Sequence, residues 1–178
     1  MPAPGRYTRT AIALHWMMAL AILAMLAVGS TMTSLPLSPQ RLKLYNWHKW
    51  AGICILVLAA VRLLWRLAHP PPVALAAPLW QVRAAVCTHA ALYALFFAVP
   101  LVGWAYSSAA GFPVVVFGVL PLPDWVAVDR ELAEAIKPWH RGLAYALAAL
   151  AVLHVAAALK HQFLDHDRLL RRMWPGRD

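Results

Sequence analysis

Cysteine and acidic side chains are scarce in this 178-residue chain, which has two of the former and seven Asp or Glu. Cys54 and Cys87 fall in separate apolar runs at different depths, which argues against a disulfide and favours small packing residues. Neither belongs to a Cys-x-x-Cys-His motif. The chain also lacks an internal repeat, a low-complexity tract and a phosphate-binding glycine loop. The net charge of +9 at pH 7 would raise nucleic-acid binding in a soluble protein, but no base-reading motif accompanies it. The basic residues cluster instead at the ends of long apolar runs.

Those runs are what the chain has in abundance. Hydrophobic residues make up 62% of it and charged residues 13%, too apolar a balance for a soluble domain of this length. A lipid bilayer is the expected environment and partner. Crossing about 30 Å of hydrocarbon takes roughly 20 residues, and four stretches suffice: about 10–33, 45–67, 82–108 and 136–163. The first is too long for a leader and carries no small-residue cleavage pattern, so it is expected to remain as a helix. The fold class is therefore all-α, a four-helix integral membrane bundle filling residues 1–178 as one domain.

Basic residues orient it. With the amino terminus inside, Arg6, Arg9, Arg62, Arg66, Arg83, Lys160, Arg168, Arg171, Arg172 and Arg177 all fall on the inner side. That is ten of the sixteen Lys and Arg, which places both termini in the cytoplasm. Asp124, Asp129, Glu131 and Glu134 fall outside, but acids weigh little in that rule. Pro36 and Pro39 mark the outer turn between the first two helices, and His69-Pro70-Pro71-Pro72 ends the second in an extended segment reaching Pro78. The outer stretch 111–134, with Phe112-Pro113-Val114-Val115-Val116-Phe117, is too apolar for a free loop and too broken for a span. It is expected to lie on the membrane surface as a lid.

Histidines inside the spans carry the chemistry, because an ionisable group in hydrocarbon is a functional-site hypothesis that needs a partner. His140 and His154 are fourteen residues apart in one apolar run. They share a helix face about 21 Å apart along the axis. His15 lies early in the first run and His48 at the start of the second. Helices two and four both enter from the outer side, so His48 and His140 meet at the outer level. His15 and His154 meet at the inner one. Facing imidazoles in a helical bundle suit the axial positions of haem iron, and two such pairs would hold two non-covalent haems b. On spacing alone, His89 on the third helix could replace His15 as the partner of His154.

Neighbouring residues fit that geometry. Gly52 is four residues after His48, and Gly29 is fourteen after His15, giving a flat macrocycle clearance at the outer level. Arg62, fourteen after His48, brings a cation to the inner level to pair with a propionate, or else snorkels to the interface. His161 lies near the inner end of helix four, facing a quinone or headgroups. His69 and His166 are simplest as solvent-exposed residues.

The order of these features resembles the bacterial cytochrome b561 family: Tyr7-Thr8-Arg9 before Ile12-Ala13-Leu14-His15-Trp16, His48 with Gly52-Ile53-Cys54-Ile55-Leu56-Val57, Val61-Arg62-Leu63-Leu64-Trp65-Arg66, and Pro70-Pro71-Pro72. It continues with His89, Tyr93, Pro100 and Gly103, then Lys137-Pro138-Trp139-His140 and Leu153-His154. The resemblance covers nearly the whole length. It implies a di-haem b protein of the bacterial inner membrane whose axial ligands are His15, His48, His140 and His154, leaving His89 as a core histidine or a group near the inner site.

The resemblance also implies an activity, since some members oxidise superoxide at the outer side and pass electrons through both haems to ubiquinone. Others are known as electron-transfer cytochromes. Here Lys43, Lys49, Lys137 and Arg141 cluster around the outer ligands and could steer an anionic radical, or serve as interfacial anchors. The stretch from His69 to Gln81 has no lysine for a quinone carbonyl, so His161, Arg83 or His69 would do that work. The expected function is oxidation of superoxide at the periplasmic face with reduction of ubiquinone. Two alternatives are a membrane-anchor and relay subunit of a larger dehydrogenase or hydrogenase, with a redox partner protein, and a haem-free structural or transport bundle, which leaves the histidine spacing unexplained.

Overall fold

The computed structural model describes residues 5–73, 77–167 and 169–176. Arg168 and Arg177, two of the basic residues used to orient the chain, lie outside the described residues. Four long helices, each apolar enough to cross a membrane, make up most of it: α1 (Arg9–Ser34), α2 (Pro39–Ala68), α3 (Leu79–Ala109) and α4 (Arg130–Phe163). The expected all-α integral membrane four-helix bundle is the observed architecture.

Helix starts follow capping chemistry. The Thr8 hydroxyl accepts from the Ala11 amide at 3.2 Å, the Ser38 hydroxyl from Arg41 at 3.3 Å, and the Asp129 carboxylate from Leu132 at 3.1 Å. Each satisfies an amide that a helix's first turn leaves without a partner.

Two of these starts correct the sequence reading. α2 begins at Pro39 rather than near 45, because a proline that seemed to punctuate the turn occupies the first helical turn, where its missing N–H costs nothing. α4 begins at Arg130 rather than near 136 and carries Pro138 inside it. The last residues assigned to the lid are thus helical.

The bundle packs unevenly. α1 lies along α2, α2 against α3 and α3 against α4, whereas α4 packs backbone-close mainly on α3 among the four spans. One core layer, Met18, Ile22, Ile55, Ala59, Leu92, Phe96 and Leu147, draws on all four helices. Leu147 is seven residues from both His140 and His154, so this layer separates two levels along the axis. Outside it many large apolar side chains stay exposed, as with Leu64 at 66% and Val152 at 70%. In a bilayer their solvent is lipid rather than water.

Both ends are closed by short segments. After Gly111, at φ +75°, the chain forms a hairpin of β1 (Val115–Val116) and β2 (Leu120–Pro121), turning through Phe117 at φ 52° and Gly118 at φ 75°. Val114 beneath it is 1% exposed, and the Asp129 amide returns to the Ala109 carbonyl at 2.9 Å. The expected lid is therefore an ordered hairpin seated on the helix ends.

At the other end the termini clasp each other. Arg6 donates to the Trp174 carbonyl at 2.8 Å, Tyr7 N to Arg172 O at 3.3 Å, Arg172 to the carbonyls of Gly5 and Val73, and the Trp16 indole to Met173 O at 2.8 Å. Both termini thus share one end of the bundle.

Candidate haem-binding site

At the lid end, His48 of α2 and His140 of α4 face each other with ring centres 6.1 Å apart and planes at 87°. The His140 Nδ1 donates to the Val99 carbonyl at 3.0 Å, leaving Nε2 as the bare nitrogen. The His48 Nδ1 is buried with no hydrogen-bond partner. Glycines admit both rings: a Cβ on Gly29 would lie 3.1 Å from His48 Cε1, and one on Gly103 would lie 2.7 Å from His140 Cε1. A Cβ on Gly52 would meet nothing within 4 Å, so α2 one turn past His48 borders open space rather than a packed neighbour.

At the termini end, His15 of α1 and His154 of α4 face each other with ring centres 6.2 Å apart. His89 of α3 reaches the same His154 ring at 5.3 Å. The Arg62 guanidinium donates to His15 Nδ1 at 3.0 Å and lies over the Tyr93 ring at 5.5 Å, where Arg66 joins it at 5.6 Å. Tyr7, Arg62, Arg66, His69 and Tyr93 line a small cavity there.

These distances fit haem. A metal–imidazole bond of about 2 Å, plus about 1 Å from nitrogen to ring centre, sets two rings about 6 Å apart across one iron. The paired rings bridge α1 or α2 to α4, the helices that do not pack closely together. An apolar bundle offering paired imidazoles across such gaps has the donor set of a b-type cytochrome.

Residues 6–176 match the family described as prokaryotic cytochrome b561. The chain belongs to that family. It is 36% identical over 172 residues to cytochrome b561 homolog 2 of Escherichia coli (strain K12), covering 96% of this chain and 92% of that protein. It is 32% identical over 182 residues to cytochrome b561 homolog 1 of the same organism, covering 97% and 99%. A protein of Yersinia pestis named probable superoxide oxidase CybB is 31% identical over 175 residues, covering 96% of each chain. The cytochrome is accordingly a multi-pass bacterial inner-membrane protein of electron transfer, in a family that binds haem b.

The other residues singled out in the sequence have varied surroundings in this cytochrome. Lys49 donates to the lid carbonyls of Phe112 at 3.3 Å and Pro113 at 3.0 Å. Lys137 pairs with Glu134 at 3.4 Å, and Lys43 lies over the Trp47 ring at 5.0 Å. Arg141 is exposed, as is Arg83 near the start of α3. His69 stacks on Trp65 with ring centres 3.9 Å apart, and His166 is exposed at φ 54°.

His161 belongs to a separate network at the last turn of α4. Its Nδ1 donates to Asp167 at 2.5 Å and lies 3.2 Å from Asp165, which Lys160 also binds. That lysine's hydrogen bond is the main reason the Asp165 carboxyl lies below its ordinary range. Lys160 and the His161 imidazole thus hold two carboxylates at the end of α4.

Sequence reading used Arg66 for orientation but missed its place over Tyr93, along with Gly103's clearance role, the Val99 carbonyl and the clasp of the termini. Arg66, one turn after Arg62, was the one with a local signal.

Proposed function

We propose that this cytochrome is a single-domain, di-haem b oxidoreductase that oxidises superoxide at the lid end and reduces ubiquinone at the termini end, with the lid end in the periplasm. The observation that carries this reading is the stacking of two facing imidazole pairs at two levels of one bundle. His48 and His140 would hold one haem, His15 and His154 the other, and Arg62 a propionate. Bound haem b supplies a one-electron carrier at each level.

Lys43, Lys49, Lys137 and Arg141 give the lid end a positive field that attracts an anionic radical. The net reaction takes one electron from each of two superoxide anions, releasing two O2. Ubiquinone gains two electrons and two protons to become ubiquinol. His161, Arg83 and His69 are the candidates for contact with the quinone, and Arg171 and Arg172 beside the clasp agree with a cytoplasmic termini end.

Haem content and a superoxide pulse test the reading together. Pyridine haemochrome analysis should give about two haems per chain, low-spin in both oxidation states. A pulse should reduce them in a reaction that superoxide dismutase suppresses and rising ionic strength slows. Ubiquinol should form in proportion. Reduction that dismutase does not suppress, or none, would instead favour the relay subunit and direct the search to a co-purifying dehydrogenase.

A further inference from the structure

The lid is tied to α2 at one charged point. Phe112 and Pro113, just after the left-handed Gly111, offer consecutive carbonyls to the Lys49 ammonium at 3.3 and 3.0 Å. Lys49 directly follows His48, so the tie sits on the same turn of helix as a lid-end imidazole. The Ser107 hydroxyl takes up the Phe112 carbonyl as well, and the Phe112 amide donates to Ser107 O at 2.9 Å. Farther along, Phe117 lies against Trp50 with ring centres 4.7 Å apart, and Leu122 N donates to Val114 O at 2.9 Å.

The Lys49 and Trp50 contacts join the hairpin to the turn of α2 that carries His48, while the Ser107 and Val114 bonds hold it to the end of α3 and to itself. Bonding to two successive lid carbonyls turns the ammonium toward the hairpin. An interfacial anchor would extend its ammonium toward headgroups instead. Lys43, six residues earlier on the same helix, has no such tie and lies over Trp47.

We propose that Lys49 is a positioning residue, whose ammonium latches the 111–122 segment onto α2 and thereby sets how far the His48 and His140 level is exposed to water. The proposal rests on the haem-bearing reading of that level but not on superoxide as donor. Charge-assisted hydrogen bonds are about twice as strong as neutral ones and hold only while the donor is cationic and correctly placed. Losing this pair should release the hairpin while the four spans, packed through their own core, stay in place.

The test uses the haem-loaded protein in detergent or nanodiscs, with Lys49→Met, Lys49→Arg and Lys43→Met. Amide hydrogen exchange at Phe112 and Leu122 should rise about tenfold in Lys49→Met, stay near the native rate in Lys49→Arg, and not change in Lys43→Met, which removes equal charge from the same end. A neutral gadolinium chelate in the water phase should shorten the relaxation of the lid-end haem's paramagnetic signal more in Lys49→Met than in the native protein. The signal from the other haem should not move.

Unchanged lid exchange in Lys49→Met, an equal rise in Lys43→Met, or a loosened lid with unchanged relaxation would each overturn the latch. Neither readout involves superoxide. A protein that fails to oxidise superoxide but shows both effects would refute the donor assignment and leave the latch standing.

Discussion

The His140 Nδ1 donates to the Val99 carbonyl at 3.0 Å, and this bond ties a residue of α4 to the backbone of α3. It fixes the ring's tautomer and rotation, so Nε2 is left as the bare nitrogen. Such a second hydrogen bond is the usual means by which a ligating imidazole is oriented. Val99 immediately precedes Pro100, and Gly103 lies one turn farther along α3. The same short stretch therefore supplies both the acceptor for His140 and the room for its ring.

Gly103→Ala should accordingly disturb the lid-end haem selectively. The new Cβ would stand 2.7 Å from His140 Cε1, against 3.1 Å from His48 Cε1 for Gly29→Ala. The closer contact also brings the new Cβ to 3.0 Å from Nδ1, the atom that donates to Val99, so the ring cannot yield without disturbing that bond. Overpacking of this kind costs about 1–3 kcal/mol. The measurement is the low-spin paramagnetic spectrum of each haem. A changed lid-end signal in Gly103→Ala, a smaller change in Gly29→Ala and a constant second signal are expected. Equal disturbance of both haems would contradict it.

Much of the bundle was legible because its signals are local and periodic. Long apolar runs gave the spans, and a fourteen-residue interval put His140 and His154 on one face at two depths. The start of α2 was misread because Pro39 looks like a breaker, and that of α4 because its opening turns, with Arg130, Glu131 and Glu134, lack the apolar run that marked the span; Pro39 and Pro138 show that position decides what a proline does. The first sits in a helix's opening turn; the second, inside a helix, sacrifices one backbone bond that the bundle tolerates. The Lys49 tie and the clasp of Arg6 with Trp174 join residues far apart in sequence through backbone carbonyls, which every residue possesses. No side-chain pattern announces them.

Depth alone left His15 and His89 as rivals for His154, and the ring separations support His15. His15 lies 6.2 Å from His154, close to the 6.1 Å of the His48 and His140 pair, while His89 stands nearer at 5.3 Å. His15→Ala should therefore lose the termini-end low-spin haem, and His89→Ala should keep it. Optical and paramagnetic spectra of the two purified variants decide the matter. Retention of both haems in His15→Ala with loss of one in His89→Ala would reverse the assignment without altering the fold.

Arg62 provides the last prediction. Its guanidinium lies 3.0 Å from His15 Nδ1 and over the faces of Tyr93 and Phe96, so a fixed positive charge is held at the termini-end level by apolar rings. Reduction of a haem adds one negative charge, which a nearby cation stabilises, and the weak screening of a lipid-embedded site strengthens that effect. Arg62→Gln should lower the midpoint potential of the termini-end haem by about 60 mV, a tenfold change in its one-electron equilibrium. Arg62→Lys should recover part of the difference, because the charge returns without the planar fork that a carboxylate accepts. The lid-end haem, beyond the Met18 and Leu147 core layer, should move much less. A redox titration followed at both haem signals measures each shift. An unchanged termini-end potential in Arg62→Gln would mean that the guanidinium faces away from the haem and serves the packing of Tyr93 alone.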